Sequence, residues 1–115
     1  MIKEKRPWGE FKIIHKEPGI TIKIISVKPN SRLSLQSHQE RDEHWLLLMG
    51  QGSCQITDNN LTLNREALYL IPRGTKHRLS AGKERCRVLE ISFGKFNEKD
   101  IIRYEDDYGR IKSQQ

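Results

Sequence analysis

Short apolar runs alternate with turn residues along this chain. Turn signals such as Pro18-Gly19 and Pro72-Arg73-Gly74 recur about every 8–12 residues, a spacing typical of β-sandwiches and barrels. No window of about 11–18 residues before residue 94 keeps the apolar stripe of a helix. Asn97–Tyr108 fits either a short helix or a strand. The alternating positions predict strands at Glu10–His15, Ile20–Val27, Leu33–His38, His44–Met49, Ser53–Thr57, Leu61–Leu63, Ala67–Ile71, Lys76–Leu79 and Arg87–Phe93.

The predicted strands belong to one all-β domain. A chain of 115 residues buries enough surface for one core and not for two. Exposed strand edges invite pairing with other chains, and a closed or nearly closed barrel removes them. We therefore expect a single barrel over residues 1–115, with a charged turn at Gln39–Asp42 and a hairpin turn at Asp58-Asn59-Asn60.

The composition restricts the possible cellular locations and the classes of binding partner. Apolar residues make up 35% of the chain, and no run of about 18 of them exists, so no membrane span is expected. The segment Met1–Glu10 lacks the apolar stretch of a secretory signal, which makes the cytoplasm the expected location. The net charge is +6, but the basic residues are scattered among acidic ones. This pattern favours an anionic small molecule or a solvated surface, and we expect no nucleic-acid partner.

Two cysteines, Cys54 and Cys86, lie on predicted strands without a CxxC spacing. In a reducing compartment a disulfide between them is not expected. We predict two free, partly buried thiols.

One cluster has the spacing of a metal site. Side chains alternate along a strand, so Ser34, Gln36 and His38 share one face of Leu33–His38. Glu43 follows five residues after His38, where the next antiparallel strand returns to the same point. The turn at Pro72 and Gly74 re-aims the chain so that His77 can face inward. The mixed nitrogen and oxygen donors Gln36, His38, Glu43 and His77 suit zinc, manganese, iron, cobalt or nickel, with positions left for water or substrate.

The same residues resemble the two motifs of the cupin family. Gln36, His38, Glu43 and Gly50 fit the first motif, and Pro72-x-Gly74-x-x-His77 fits the second. The chain is most similar to the type II phosphomannose isomerase domain, which is usually fused behind a mannose-1-phosphate guanylyltransferase domain. That resemblance rests on Arg6-Pro7-Trp8-Gly9, Leu33-Ser34-Leu35-Gln36, Glu43-His44-Trp45, Ile71-Pro72, His77-Arg78-Leu79 and Glu105-Asp106-Asp107-Tyr108-Gly109-Arg110.

The resemblance implies a fold and an activity. It implies a cupin double-stranded β-helix, or jelly-roll, barrel with its core at about residues 6–110. It also implies metal-dependent interconversion of mannose 6-phosphate and fructose 6-phosphate. The chain departs from the family pattern at Asn30, Glu40 and Ala81, where Gly, His and Asn are usual. Glu40 adds an acid beside the ligands, so the resemblance determines the fold more firmly than the identity of the substrate.

Aldose–ketose isomerisation also needs a base that moves a proton between C1 and C2. Glu43, Glu90 and Lys23 are the candidates, and the sequence does not choose among them. Glu90 lies either in the interior with a raised pKa or on the outer face of its strand. Lys23 faces either the substrate and Glu90 or solvent, depending on which isoleucines of its strand face the core. His44 is expected on the face opposite Glu43.

Substrate binding needs a cation for the phosphate group. Arg41, between two ligands, is the first candidate because a guanidinium binds phosphate bidentately. Arg6, Arg103 and Arg110 are its rivals, and Ser34 and Lys23 are further candidates for substrate contacts.

A second function stays open. A non-catalytic cupin could bind a sugar phosphate or sugar nucleotide, or assist a separate guanylyltransferase, because a fold does not determine a function. Homodimerisation through edge strands is a further expectation.

Overall fold

The computed structural model describes residues 2–111, and all regular elements in this range are strands. Their alternating apolar positions account for this, since each buries one set of side chains. The elements are β1 (Ile2–Arg6), β2 (Gly9–Glu17), β3 (Ile20–Val27), β4 (Leu35–Ser37), β5 (Arg41–Met49), β6 (Gly52–Ile56), β7 (Asn59–Thr62), β8 (Leu68–Ile71), β9 (His77–Ala81), β10 (Cys86–Gly94) and β11 (Ile102–Glu105).

The strands form two antiparallel sheets. The six-stranded sheet has the order β1-β2-β3-β10-β5-β8, and the five-stranded sheet has the order β11-β4-β9-β6-β7. Strands distant in sequence are neighbours in both sheets, as when β10 lies between β3 and β5. Side chains from both sheets, including Val88 of the first and Leu79 of the second, meet in one apolar core.

The interior has an apolar part and a polar part. On β3 the inward side chains run from Val27 and Ile25 to Lys23, and strand register places Lys23 opposite Glu90 of β10. One pair further along β10, Ser92 is opposite Glu43 of β5. The apolar residues hold the two sheets together, and the polar residues line the space between them at the other end.

The predicted pattern matches most strands and misses some boundaries. Ile20–Val27 is observed at its predicted ends, and the tail forms β11 instead of a helix. The strand β1 was not predicted, because its mostly charged residues lack apolar alternation and it is held by pairing with β2. The turn expected at Asp58-Asn59-Asn60 lies one residue earlier, with Thr57 in the left-handed region at φ 54°. The charged turn is shorter than expected, since β5 already begins at Arg41.

Both cysteines are free, as predicted, and both are fully buried instead of partly buried. Burial raises the pKa of each thiol to about 11, so neither is a reactive thiolate near neutral pH. Residues 2–111 hold no helix with the length and apolarity that a membrane crossing requires. The domain prediction covers residues 1–115, of which residues 1 and 112–115 lie outside the described range.

Gly50, which directly follows β5, is a site where a side chain should be costly. Gly50 and Gly19 have nearly the same φ, +83° and +84°, but a Cβ on Gly50 would collide with the Arg85 carbonyl while one on Gly19 would meet open space. Left-handed backbone costs an L-residue about 1–2 kcal/mol. We expect Gly19→Ala to lose about that much stability and Gly50→Ala to lose roughly twice as much or more. Thermal unfolding followed by circular dichroism compares them, and equal melting temperatures would show that the Arg85 contact is unimportant.

Candidate metal centre

Three potential ligands from three strand segments converge between the two sheets. His38 directly follows β4, Glu43 lies on β5, and His77 begins β9. One ligand atom from each lies within 4.8 Å of the other two, and all three side chains are buried. The Glu43 carboxylate lies between the imidazoles, with Oε2 3.5 Å from His38 Nε2 and Oε1 3.2 Å from His77 Nε2.

Backbone carbonyls orient both imidazoles. His38 Nδ1–H donates to the Asp100 carbonyl at 2.6 Å, and His77 Nδ1–H donates to the Thr75 carbonyl at 2.9 Å. A carbonyl oxygen can only accept, so each Nδ1 carries the proton. In its neutral form a ring held in this way presents its Nε2 lone pair to the centre, which is the usual arrangement of histidines that bind metals.

Arg41 supplies a cation to the centre. Its Nε donates to Glu43 Oε2 at 3.0 Å, and its Nη2 donates to His38 Nε2 at 3.2 Å. The guanidinium is buried and lies over the Phe96 ring at 4.8 Å. Because β5 begins at Arg41, alternation places Arg41 on the same face as Glu43 instead of in the expected turn. Arg41 and a metal ion would compete for the same lone pair of His38.

The protonation preferences of the three ligands follow from burial and neighbouring charge. Burial, with Arg41 adding to it, lowers the pKa of His38 to about 4, so the ring is neutral at pH 7. Burial would raise the pKa of Glu43, but His77, His38 and Arg41 outweigh it and hold that pKa far below its usual range. Burial disfavours a charged His77, yet the Glu43 carboxylate prevails and raises the pKa of His77. The centre thus keeps an ionised carboxylate.

The donor set fits a divalent first-row ion. Two imidazole nitrogens and a carboxylate oxygen are ligands for zinc, manganese, iron, cobalt or nickel. Glu43 Oε1 is buried without a hydrogen-bond donor in residues 2–111, although His77 Nε2 lies 3.2 Å away. Gln36, the fourth predicted ligand, lines the same cavity opposite His77 in the strand register. Its Nε2 donates to the Ser34 carbonyl at 3.4 Å.

The ligands open onto a cavity of about 110 Å³. Every residue predicted as a metal ligand, a catalytic group or a leading substrate contact lies on its wall. These residues are Lys23, Ser34, Gln36, His38, Arg41, Glu43, His77 and Glu90.

A buried acid and a buried amine lie side by side in the cavity wall. Lys23 Nζ is 3.9 Å from Glu90 Oε2, and Glu90 accepts hydrogen bonds from Trp45 Nε1 at 3.0 Å and Ser92 Oγ at 3.2 Å. Lys23 also lies over the ring of Phe96 at 4.3 Å. Burial, reinforced by Glu43, raises the pKa of Glu90, and burial lowers the pKa of Lys23. The pKa values of both groups are therefore shifted towards neutral pH, which favours exchange of a proton by these groups.

Arginines give the cavity a positive wall. Arg6, Arg103 and Arg110 line it together with Arg41. Burial and then the charge of Arg110 lower the pKa of Arg103, and its Nε is buried without a hydrogen-bond partner within residues 2–111. The hydroxyl of Ser34 is likewise buried without a partner in that range. These unpaired donors suit an anionic, oxygen-rich ligand.

His44 and the tryptophans are accounted for by packing. His44 faces outward, as predicted, and stacks with Phe93 at 4.7 Å between ring centres. Trp8 and Trp45 are buried in the core, and Trp45 also packs edge-on against His77.

Sequence reasoning missed the role of Asp100. Besides its carbonyl contact to His38, its carboxylate accepts the backbone N–H groups of Gln39 and Glu40, each at 2.9 Å. Asp100 therefore secures the turn that joins His38 to Glu43. It lies 62 residues after His38 in an irregular segment, and no local pattern marks it.

The Asp100 contacts predict a loss of metal affinity without loss of the fold. Asp100→Ala keeps the backbone carbonyl that accepts from His38 but removes the carboxylate that holds the turn between His38 and Glu43. Loss of such support for a ligand typically weakens metal binding about 10–100-fold. We expect calorimetric metal titrations of Asp100→Ala to show a loss of metal affinity in this range. Asp107→Ala, which removes an exposed ion pair with Arg32, is the matched control and should bind metal normally. Equal affinities for the two variants would remove Asp100 from the account.

Comparison with known proteins identifies a family model and relatives that this chain matches. A family model described as mannose-6-phosphate isomerase C-terminal matches residues 2–106. The xanthan biosynthesis protein XanB of Xanthomonas campestris pv. campestris (strain B100) is 39% identical over 91% of this chain. A mannose-1-phosphate guanylyltransferase of Klebsiella pneumoniae is 37% identical over the same share. The chain spans only 23% of the length of either relative.

A solved structure supports the fold. A cupin-2 domain protein, Rru_A2000 from Rhodospirillum rubrum, superimposes with a TM-score of 0.68 and 17% identity. The match covers 79% of this chain and 67% of that one. The expected cupin barrel is thereby confirmed.

Proposed function

The chain belongs to the mannose-6-phosphate isomerase C-terminal family, and on that premise we propose that it interconverts mannose 6-phosphate and fructose 6-phosphate with a divalent metal ion. One observation carries the proposal. The centre formed by His38, Glu43 and His77 shares one cavity with the Lys23–Glu90 pair and with a wall of arginines. Carbonyl polarisation, proton transfer and phosphate binding thus have separate groups within one space.

The reaction requires a proton to leave C2 of the aldose and return to C1, while a hydroxyl proton passes from O2 to O1. Negative charge develops on oxygen in the enediol that lies between. A divalent ion held by His38, Glu43 and His77, with Gln36 as a fourth ligand, would polarise the carbonyl and stabilise that charge.

Glu90 is the best base among the three candidates. Glu43 is a poor proton acceptor, because its pKa is held far below the usual range by His77, His38 and Arg41 despite burial. The pKa of Glu90 is raised by burial, so its carboxylate binds a proton more readily. Its two hydrogen bonds, from Trp45 and Ser92, fix its orientation. Lys23 lies 3.9 Å away and supplies a positive charge beside the developing oxyanion.

The arginines would receive the phosphate. Arg103 has an unsatisfied buried Nε and lies among Arg6 and Arg110, whose charges also depress its pKa after burial itself. Arg41 binds Glu43 and His38 in this structure. A bound cation would compete with Arg41 for His38 Nε2. Loading with metal would therefore free the Arg41 guanidinium to bind an anionic substrate, and the Ser34 hydroxyl would bind the same substrate.

The names of the relatives suggest the biosynthetic process in which the proposed activity takes part. XanB is a xanthan biosynthesis protein by name, and we place the present activity in the supply of sugar phosphates for polysaccharides. The free thiols of Cys54 and Cys86 agree with the reducing cytoplasm as its compartment.

A second candidate is binding without turnover. The chain corresponds to 23% of a mannose-1-phosphate guanylyltransferase, so it could bind a sugar phosphate or sugar nucleotide in support of such an enzyme encoded separately. A phosphosugar would then raise the melting temperature of the protein without being converted.

The test is an isomerase assay on the purified chain. The protein is stripped with chelator and reloaded separately with Zn²⁺, Mn²⁺, Fe²⁺, Co²⁺ or Ni²⁺, and fructose 6-phosphate formation from mannose 6-phosphate is measured. We expect turnover that chelator abolishes and at least one ion restores. Thermal stabilisation by mannose 6-phosphate with no turnover under any ion would favour the binding function and reject the isomerase.

Arg103 should affect substrate binding more than chemistry. Hydrogen bonds to charged groups contribute about 1.5–3 kcal/mol, equivalent to roughly 10–150-fold in affinity. We expect Arg103→Ala to raise KM for mannose 6-phosphate by a factor in this range while kcat changes little. Arg65→Ala, on an exposed turn, is the control. An unchanged KM would exclude Arg103 from phosphate binding.

A further inference from the structure

Two phenylalanine rings flank the ammonium group of Lys23 in the cavity. Lys23 Nζ lies 4.4 Å from the centre of the Phe11 ring and 4.3 Å from the centre of the Phe96 ring. A cation within about 6 Å of a ring centre is attracted by the negative face of the ring. We call Phe11 and Phe96 the aromatic clamp. Within residues 2–111 the ammonium group forms one ion pair, with Glu90 at 3.9 Å, so the aromatic clamp and Glu90 hold it together.

The aromatic clamp also contacts two arginines of the cavity wall. The Arg6 guanidinium lies over the Phe11 ring at 5.0 Å, and the Arg41 guanidinium lies over the Phe96 ring at 4.8 Å. Cations and rings therefore alternate along the wall of the cavity. Their order is Arg6, Phe11, Lys23, Phe96 and Arg41. Like charges in one cavity repel each other, and the ring faces offset this repulsion without neutralising the cations.

The two rings of the aromatic clamp are held differently. Phe11 is a buried core residue on β2. Phe96 is half-buried and lies in the irregular segment 95–101, between β10 and β11. It lines both the cavity and an open surface recess beside Lys16, whose Nζ is 5.5 Å from the ring centre. Phe96 is therefore the member of the aromatic clamp that can be replaced without opening the apolar core.

Ring faces favour the charged form of Lys23 without cancelling its charge. Burial lowers the pKa of Lys23, Glu90 opposes this effect, and the charge of Arg41 adds to it. Attraction to a ring face acts on the ammonium group and not on the neutral amine. A second carboxylate at this place would cancel the positive charge in the cavity, whereas a ring carries no net charge. The aromatic clamp thus stabilises a cation that stays available to a negatively charged ligand.

We propose that the aromatic clamp holds the Lys23 ammonium group beside Glu90, and that Phe96 is thereby a positioning residue for the isomerase reaction. The second part rests on the proposed function, in which Lys23 supplies positive charge beside the developing oxyanion. Negative charge on the substrate oxygens is greatest in the enediol. Correct placement of the ammonium group should therefore accelerate the chemical step more than it tightens substrate binding. Phe96 acts through Lys23 and needs no contact with the reacting atoms.

The kinetics of Phe96 variants test the catalytic part of the proposal. Phe96→Leu keeps an apolar side chain but removes the ring, so kcat of the metal-loaded protein should fall about 5–30-fold while KM changes less than about threefold. Phe96→Tyr restores a ring face and should stay within about twofold of the wild-type kcat. Phe93→Leu is the matched control, because Phe93 stacks with His44 and does not line the cavity. It should be fully active.

An NMR measurement on the chelator-treated protein tests the ring contact without an activity assay. Protons near the face of an aromatic ring are shielded. In protein labelled with 13C at the lysine Cε, the ε-methylene signal of Lys23 should therefore lie upfield of the signals of lysines that contact no ring. Lys23→Arg identifies the signal by removing it. The signal should move downfield in Phe96→Leu and stay near its wild-type position in Phe96→Tyr and Phe93→Leu.

The outcomes distinguish the aromatic clamp from the proposed function. A Lys23 signal that does not respond to Phe96→Leu, or a Phe96→Leu protein with the wild-type kcat, would overturn the proposal. Equal loss of activity in Phe96→Tyr and Phe96→Leu would also overturn it, because the loss would then not depend on the ring face. An inactive wild type whose Lys23 signal responds to Phe96→Leu would uphold the aromatic clamp and reject the proposed function.

Discussion

Replacement of His77 with alanine is expected to abolish metal binding at micromolar ion concentrations and, with it, the isomerase activity. His77 Nε2 is 3.2 Å from Glu43 Oε1, and its Nδ1 is bound to the Thr75 carbonyl, so the ring is held with Nε2 facing the centre. Groups that merely orient a ligand change affinity about 10–100-fold. Loss of the ligand itself should therefore exceed about 100-fold in metal affinity, and kcat/KM should fall by about 10³ or more.

Metal content and activity must change together for this account to hold. Elemental analysis of purified His77→Ala, beside calorimetric titration and the isomerase assay, supplies both readouts. His15→Ala is the matched control, because His15 is exposed, is paired with Glu17 and does not line the cavity. A His77→Ala protein that keeps its metal and loses only activity would assign His77 a role other than ligand.

Replacement of Glu90 with glutamine is expected to lower kcat about 10²–10⁴-fold, the usual contribution of a general base. Glutamine preserves the size of the side chain and an acceptor for Trp45 Nε1, which donates to Glu90 at 3.0 Å. Metal affinity should change little, because the hydrogen bonds and ion pair of Glu90 within residues 2–111 go to Trp45, Ser92 and Lys23 and not to the three convergent ligands. Glu84→Gln, on an exposed turn, is the control and should be fully active.

The pH profile separates a base from a structural residue. Burial and the Glu43 charge raise the pKa of Glu90 above its usual value near 4.3. A base must be deprotonated, so kcat/KM should fall as the pH drops through this raised pKa. That acid limb should be absent in Glu90→Gln. An identical acid limb in wild type and Glu90→Gln would assign the limb to another group and remove Glu90 as the base.

Alternation along strands predicted most of the site. Period-two patterning placed Gln36 and His38 on one face, and the returning strand brought Glu43 to the same point. The second motif placed His77 there through its turn. The convergence of His38, Glu43 and His77 could be inferred in this way because each step depends on local geometry over a few residues.

The remainder depends on contacts distant in sequence. The strand β1 forms by pairing with β2 and has no apolar alternation of its own. Asp100 reaches His38 from 62 residues away, and only the folded chain shows that contact. The early start of β5 turns Arg41 towards His38 and Glu43, whereas the charged sequence Gln39–Asp42 suggested an exposed turn.

The central claim is that His38, Glu43 and His77 hold one divalent ion, and anomalous diffraction from metal-loaded crystals tests it most directly. The account predicts a single strong anomalous peak about 2.0–2.2 Å from the Nε2 atoms of both histidines and from a Glu43 oxygen, with the Arg41 guanidinium displaced from His38. Absence of a peak there, with Arg41 still bound to His38 Nε2 at saturating metal, would contradict it.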